Sequence, residues 1–409
     1  MPALGCVLAG LFLANSALAQ VPEASYVSPP NPVNDYLDAI DRIEGDYGPY
    51  ATELSDLYLG LGQTLLDSGD YEQARDAFHR GVLVVRVNSG PNSPEQTNHL
   101  YLIANIEALL GNDKAADEVL ENIQFINSDY YGRNSSEMLG VLDRMYQWYL
   151  ASRPPGSEYA QYADYERVIE LTEDMVQVSE ALHGPGHPET TEAYRRHGEA
   201  QFQAVRYLMG QTMTLSLDDY VAVSSGTLYT PGVVKVSVGE HYDAGRKAFK
   251  RYVESMLADK STTPPQYAEA LANMGDWYLV FEKSRTSRNL YEQAYEVLAS
   301  SDDYAELAAG YMAQPRPVHF FFAQPGLLED VPVELQELSV DVSITVTSYG
   351  DVRYVKVLNP PEGLTDNHLG QIKRQVRQTP FRPALKAGEV VTTKDFIWQY
   401  AIAAQGQAS

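Results

Sequence analysis

The chain has 409 residues with 30 Lys plus Arg against 55 Asp plus Glu, a formal net charge of -25, and a single cysteine. That length is too great for one ordinary core and suits two or three modules. The negative charge repels phosphate backbones and argues against nucleic acid as a partner. Because Cys6 falls in the first apolar run, the rest of the chain carries no thiol for a disulfide, a Cys nucleophile or a Cys-ligated zinc.

From Met1 to Ala19 the chain runs through Leu11, Phe12 and Leu13 to Ala17-Leu18-Ala19 before Gln20. This reads as a secretory signal peptide cut after Ala19, although it lacks the usual basic residue at its start. The expected destination is the periplasm of a Gram-negative bacterium. No other stretch is long and apolar enough to span a bilayer. Residues 20–49 then read as a Pro- and Ser-rich lead-in followed by a capping helix over Val33 to Glu44.

The next segments repeat. Tyr58, Leu100, Tyr194 and Leu271 align, as do Leu61, Ile103, His197 and Met274, and then the small residues Gly62, Ala104, Gly198 and Gly275. A small residue in this register lets a second helix approach, and the second helix answers with Ala74 and Phe78, or Ala116 and Leu120. Each unit is therefore a helical hairpin that cannot bury both faces alone and must stack on its neighbours. Helix starts echo one another as well: Gly90-Pro91-Asn92-Ser93-Pro94-Glu95 returns as Gly184-Pro185-Gly186-His187-Pro188-Glu189, and Pro265-Gln266-Tyr267-Ala268 holds the same place. Proline suits a first turn whose N–H would have no partner, and glutamate suits the positive end of the helix dipole.

This pattern resembles the tetratricopeptide repeat family, and the Gly-Pro-x-His-Pro-Glu-Thr version is similar to the longer repeats of kinesin light chains. The resemblance implies an all-α solenoid over 50–313, with about five hairpins. The third hairpin carries Leu139, Leu142, Tyr146 and Tyr149, then Tyr165, Val168, Ile169 and Leu171, with Arg153-Pro154-Pro155-Gly156 as breaker. The fourth is interrupted by an insertion over 215–238 and resumes with Ala248 and Phe249; inserts of this kind often touch ligands. The fifth runs from Pro265 to Ser300, and Asp303 to Met312 reads as a polar cap.

Residues 314–337, punctuated by Pro315, Pro317, Pro325 and Pro332, read as a linker with a short strand. The period then changes to two, with Val340, Val342, Ile344 and Val346 alternating with polar residues. A turn at Ser348-Tyr349-Gly350-Asp351 leads to a strand over Val352 to Leu358, then a helix through Leu369, Ile372 and Val376, then a strand over Val390 to Tyr400. This small α+β unit of ββαβ order over 338–402, with its Pro380-Phe381-Arg382-Pro383-Ala384 element and Gly388, resembles the TonB carboxy-terminal domain; 403–409 is a tail. The resemblance implies partner contact by strand addition, with Val391 to Tyr400 at a usable edge. The inner-membrane helix and Pro-rich spacer of TonB energy transducers do not occur, so coupling to a proton gradient is not implied. Charge also separates the two parts, since Lys373, Arg374, Arg377, Arg382, Lys386 and Lys394 balance the acids of the last quarter.

No nucleophile elbow, zincin, P-loop or dinucleotide fingerprint occurs, and no enzymatic activity or cofactor is expected. His183, His187 and His197 form the densest cluster of metal-ligating types, but zinc needs three or four converging ligands. His187 belongs to the helix-start motif and His197 to a core register, so no metal is assigned. In the repeat family the inward residues of the first helix of each hairpin sit at fixed offsets from the small residue. That resemblance places Asp56, Leu59 and Gln63, then Asn98, Tyr101 and Asn105, then Glu192, Arg195 and Glu199, then Glu269 and Asp276 on a concave, partner-binding face. Such a face suits a basic or extended protein segment. The expected function is an exported, non-catalytic scaffold that also pairs with a cell-envelope protein through the C-terminal edge strand. The alternative is a factor that binds peptidoglycan or another glycan through stacking on some of the 29 tyrosines.

Overall fold

The computed structural model describes residues 32–152, 162–213, 238–318, 326–328 and 339–404. The leader, most of the lead-in, nearly all of the insertion and most of the linker lie outside the described residues. The chain divides into two compact units, Met1–Asn88 and Ser89–Ser409.

The first unit contains α1 (Pro32–Tyr47), α2 (Leu54–Asp67) and most of α3 (Tyr71–Ser89). The helix expected over Val33 to Glu44 is α1, which runs from Pro32 to Tyr47. Gly62 faces Phe78 so closely that a Cβ on it would lie 2.4 Å from Cε1 of the ring. Tyr58, Leu61, Leu65, Ala74 and Phe78 are buried around that contact.

The second unit continues with α4 (Thr97–Leu109), α5 (Asp113–Tyr131), α6 (Ser136–Ser152), α7 (Tyr162–His183), α8 (Pro188–Met213), α9 (Val238–Ala258), α10 (Pro264–Val280) and α11 (Ser284–Ala299), each packed on the next. These helices pack as successive hairpins, and the small-residue register recurs in them. A Cβ on Gly198 would meet Phe249 at 2.9 Å, and one on Gly275 would meet Tyr291 at 2.6 Å. Ala104 of α4 is fully buried, as are Ala116 and Leu120 of α5. Helix starts are capped by local chemistry: Ser93 Oγ accepts from Glu95 N at 3.3 Å, His187 Nδ1 accepts from Glu189 N at 3.3 Å, and Thr263 N donates to Gln266 Oε1 at 2.8 Å.

After α11 the segment expected as a polar cap, Asp303 to Met312, is mostly exposed, with Ala308 and Met312 as its buried residues. A short α12 (Ala305–Gly310) leads to Met312, which is 4 % exposed and packs with Ala272, Tyr291, Leu385 and Val390. Its carbonyl accepts from Leu385 N at 2.8 Å. The C-terminal part has β1 (Arg316–Pro317), β2 (Gly326–Leu328), β3 (Ser339–Val346), β4 (Val352–Leu358), α13 (Asp366–Gln378), β5 (Phe381–Arg382), β6 (Ala384–Lys386), β7 (Glu389–Val391) and β8 (Thr393–Ala404). β8, β3 and β4 are antiparallel neighbours, and β2 adds to β8 in parallel, giving the order β2-β8-β3-β4. The strand expected over Val390 to Tyr400 is two: β7, which pairs with β6 in a hairpin, and β8, which belongs to the main sheet. Val340, Val342, Ile344 and Val346 point to one face and meet Ile372 and Val376 of α13 with Phe381 and Tyr400.

The turn between β3 and β4 is closed by Gly350 N donating to Thr347 O at 3.0 Å, and Gly350 has φ +84°. A Cβ there would fall 2.6 Å from the Phe381 carbonyl and 2.7 Å from Leu279 Cδ1. Positive φ and close approach both demand glycine at this place, where the sheet meets α10.

Candidate functional site

The residues expected on a concave face lie on α2, α4, α8 and α10. In the first unit Asp56 and Gln63 are exposed and Leu59 is half-buried. In the second unit the polar positions hold partners from within the chain.

On α4, Asn98 Oδ1 accepts from Arg144 Nη1 at 2.8 Å, and the Arg144 guanidinium lies 3.8 Å from the centroid of the Tyr101 ring. Asn105 Oδ1 accepts from Trp148 Nε1. Tyr101 is 3 % exposed and its hydroxyl donates to Val141 O at 3.3 Å, so it is a core residue between α4 and α6 rather than an open contact surface. Burial pushes its hydroxyl well above the usual range.

On α8, Arg195 lies between Glu192 and Glu199. Its Nη2 is 2.6 Å from Glu192 Oε1 and its Nε donates to Glu192 Oε2 at 2.7 Å, while Nη1 pairs with Glu199. Arg196 adds a bond from Nε to Glu192 Oε1 at 2.9 Å and pairs with Asp143 of α6. Burial opposes ionisation of Glu192, but hydrogen bonds and charge from Arg195 and Arg196 outweigh it and hold the carboxyl below its ordinary value. All three residues remain half-exposed, so this stretch is an ion-paired, accessible surface.

On α10 the same positions, Glu269 and Asp276, receive Arg382 from β5. Arg382 Nε donates to Asp276 Oδ1 at 2.7 Å and to Oδ2 at 2.9 Å, and Nη2 donates to Asp276 Oδ2 at 2.7 Å, Asn273 Oδ1 at 2.9 Å and Glu269 Oε1 at 3.1 Å. Tyr291 hydroxyl donates to Asp276 Oδ1 at 2.8 Å. The Arg382 side chain is 5 % exposed and that of Asp276 0 %. Burial alone would pull the guanidinium down, but Asp276 beside it holds it well above its ordinary value. Both carboxylate oxygens act as acceptors, which is the pattern of an ionised pair. Asp276, expected as an open groove residue, is therefore closed off by the chain's own C-terminal part. Its partner was legible as a member of the Phe-Arg-Pro-Ala element and of the C-terminal cations, not as a ligand of Asp276.

The expected usable edge is present in part. One side of β8 is paired along its length with β3, and β2 pairs with the other side only at 402–404; residues 393–401 have no strand on that side among the described residues. His183, His187 and His197 do not converge. His197 is half-buried with its Nδ1 3.1 Å from Thr172 Oγ1, whereas His183 and His187 are brought together with Glu189. Among the described residues no helix is long and apolar enough to cross a membrane.

No family model matches the chain, and no curated protein matches it. Among solved structures it is similar to BtubC (BKLC) from P. vanneervenii, at 12% identity over 66% of this chain and 89% of that one with a TM-score of 0.35. It is also similar to a Podosopora anserina kinesin light chain with nearly identical TPR-like repeats, at 13% identity over 61% of this chain and 98% of that one with a TM-score of 0.38.

Proposed function

We propose that the protein is a non-catalytic scaffold of the cell envelope, exported to the periplasm, that holds a basic, extended protein segment on the first helices of its hairpins. The observation that carries this reading is the seat of Arg382. A guanidinium on an extended strand is received by a carboxylate, an amide and a second carboxylate that project from one helix face, and the face of α8 repeats the same carboxylate spacing at Glu192 and Glu199. Segments with arginine at suitable spacing can exchange with Arg195 for those two carboxylates, because all three remain accessible.

The C-terminal part is read as a TonB-like domain that pairs with an envelope partner by strand addition along 393–401 of β8. The test is in-cell crosslinking followed by capture on the purified chain and on an E192K/E199K variant. Charge reversal on α8 should lose the captured segment while an R374E variant, exposed on α13 and outside both the repeats and the β8 edge, keeps it. Equal recovery on the wild type and the double variant would refute the groove reading.

A further inference from the structure

The loop that opens α8 brings together three metal-ligating side chains that the proposed scaffold does not use. His183 closes α7, His187 stands in the Gly-Pro-Gly-His-Pro loop, and Glu189 lies in the first turn of α8. One donor atom from each falls within 4.8 Å of the others. His183 Nε2 is 2.9 Å from Glu189 Oε2, and the two imidazoles face each other with centroids 4.3 Å apart.

The backbone fixes which nitrogen of His187 is available. Its Nδ1 accepts the Glu189 N–H, so Nε2 is the atom left to bind an external group. The loop is also held from behind: Ser255 of α9 donates from Oγ to the Pro185 carbonyl at 2.7 Å and contacts Thr191 Oγ1.

We infer that His183, His187 and Glu189 form a surface site for a divalent transition-metal ion of the zinc class. Two imidazoles and one carboxylate, with water in the fourth place, are a donor set of borderline softness that suits Zn²⁺ over Mg²⁺ or Ca²⁺. The geometry is within reach. Tetrahedral zinc with bonds of about 2.0–2.1 Å keeps its donors about 3.3 Å apart, so the His183–Glu189 pair opens slightly and the stacked rings turn to aim their nitrogens inward. The ion would replace a contact that is an ion pair only while His183 is protonated, and it would clasp the end of α7 to the start of α8.

The experiment is equilibrium dialysis of the tag-free full chain against Zn²⁺ at neutral pH, with Mg²⁺ in excess, and metal content measured afterwards. One zinc per chain with micromolar affinity or better is expected. H183A and E189Q should each weaken it by at least about ten-fold, since even outer-shell partners of a metal ligand are worth that much. Both positions are exposed, and circular dichroism of each variant checks that the helices are retained. No retained zinc, or retention unchanged in both variants, overturns the site.

Discussion

Arg382 of β5 and Asp276 of α10 form a buried, doubly hydrogen-bonded ion pair that joins the C-terminal part to the last helical hairpin. Isolated ion pairs in a low-dielectric interior gain little over an apolar replacement, but a single broken partner is costly. Arg382→Ala leaves the Asp276 carboxylate with Tyr291 as its remaining hydrogen-bond partner in this cluster. A loss of about 3–5 kcal/mol is expected by urea unfolding. D276N/R382Q should lose clearly less than the sum of its single changes, because the two side chains share one interaction. Additive losses would show that the pair is not the joint.

The seat of Arg382 also marks the limit of what the amino-acid order reveals. The hairpin register was legible because it is local: large, large and small residues recur at fixed spacing, and Gly62, Gly198 and Gly275 all meet an aromatic ring of the second helix. The alternation of Val340 to Val346 was legible for the same reason. Asp276 and Arg382 are 106 positions apart, and nothing near either residue points to the other. A charged residue on a helix face reads as solvent-facing unless a remote element is known to cover it. The same applies to Met312, whose burial depends on Leu385 of β6 and Val390 of β7, more than 70 positions away. The split of the last strand into β7 and β8 depends likewise on β6, which is too short to announce itself by period.

The glycine register can be tested by adding one carbon. Gly275→Ala places Cβ 2.6 Å from Tyr291 Cε1, in a ring fixed by its bond to Asp276, whereas Gly198→Ala places it 2.9 Å from Phe249 Cζ, at the tip of a ring with no polar anchor. Alanine gains up to about 1 kcal/mol of helix propensity over glycine, while overpacking costs about 1–3 kcal/mol. G275A should therefore be clearly destabilising by thermal unfolding, and G198A close to neutral. The reverse order would mean that the Phe249 ring, not Tyr291, is the rigid one.

A polar arrangement that periodicity did not disclose recurs in both units. Tyr58 hydroxyl donates to Glu44 Oε1 at 2.8 Å with Arg80 above its ring, and Tyr194 hydroxyl donates to Glu180 with Arg251 above its ring. In each case the tyrosine of one hairpin's first helix reaches the helix before it. Removing one such hydroxyl by Tyr194→Phe should cost about 1 kcal/mol, the net worth of one hydrogen bond, with larger loss where Glu180 is left short of a donor. Urea titration of Y194F and Y58F measures both. No change in either would reduce the arrangement to a surface contact.

His197 provides the pH dependence. It fills a register held elsewhere by Leu61, Ile103 and Met274, and burial pushes its imidazole down to about 4, with Arg251 adding to the effect and the Ile169 carbonyl opposing it. Its Nδ1 faces Thr172 Oγ1, which also bonds the Val168 and Ile169 carbonyls. An unfolded histidine takes up its proton near pH 6.5, whereas the folded one resists until about pH 4, so the unfolded state binds more protons in between. The contribution is therefore complete above about pH 6.5 and is lost as pH falls toward 4, by up to about 3 kcal/mol. His197→Met, which copies the residue at the matching place on α10, removes the titrating group and keeps an apolar side chain there. Urea unfolding across pH 4 to 7 should show wild-type stability falling more steeply on acidification than that of H197M. Parallel curves would mean that His197 is solvated and does not feel the burial that lowers its imidazole.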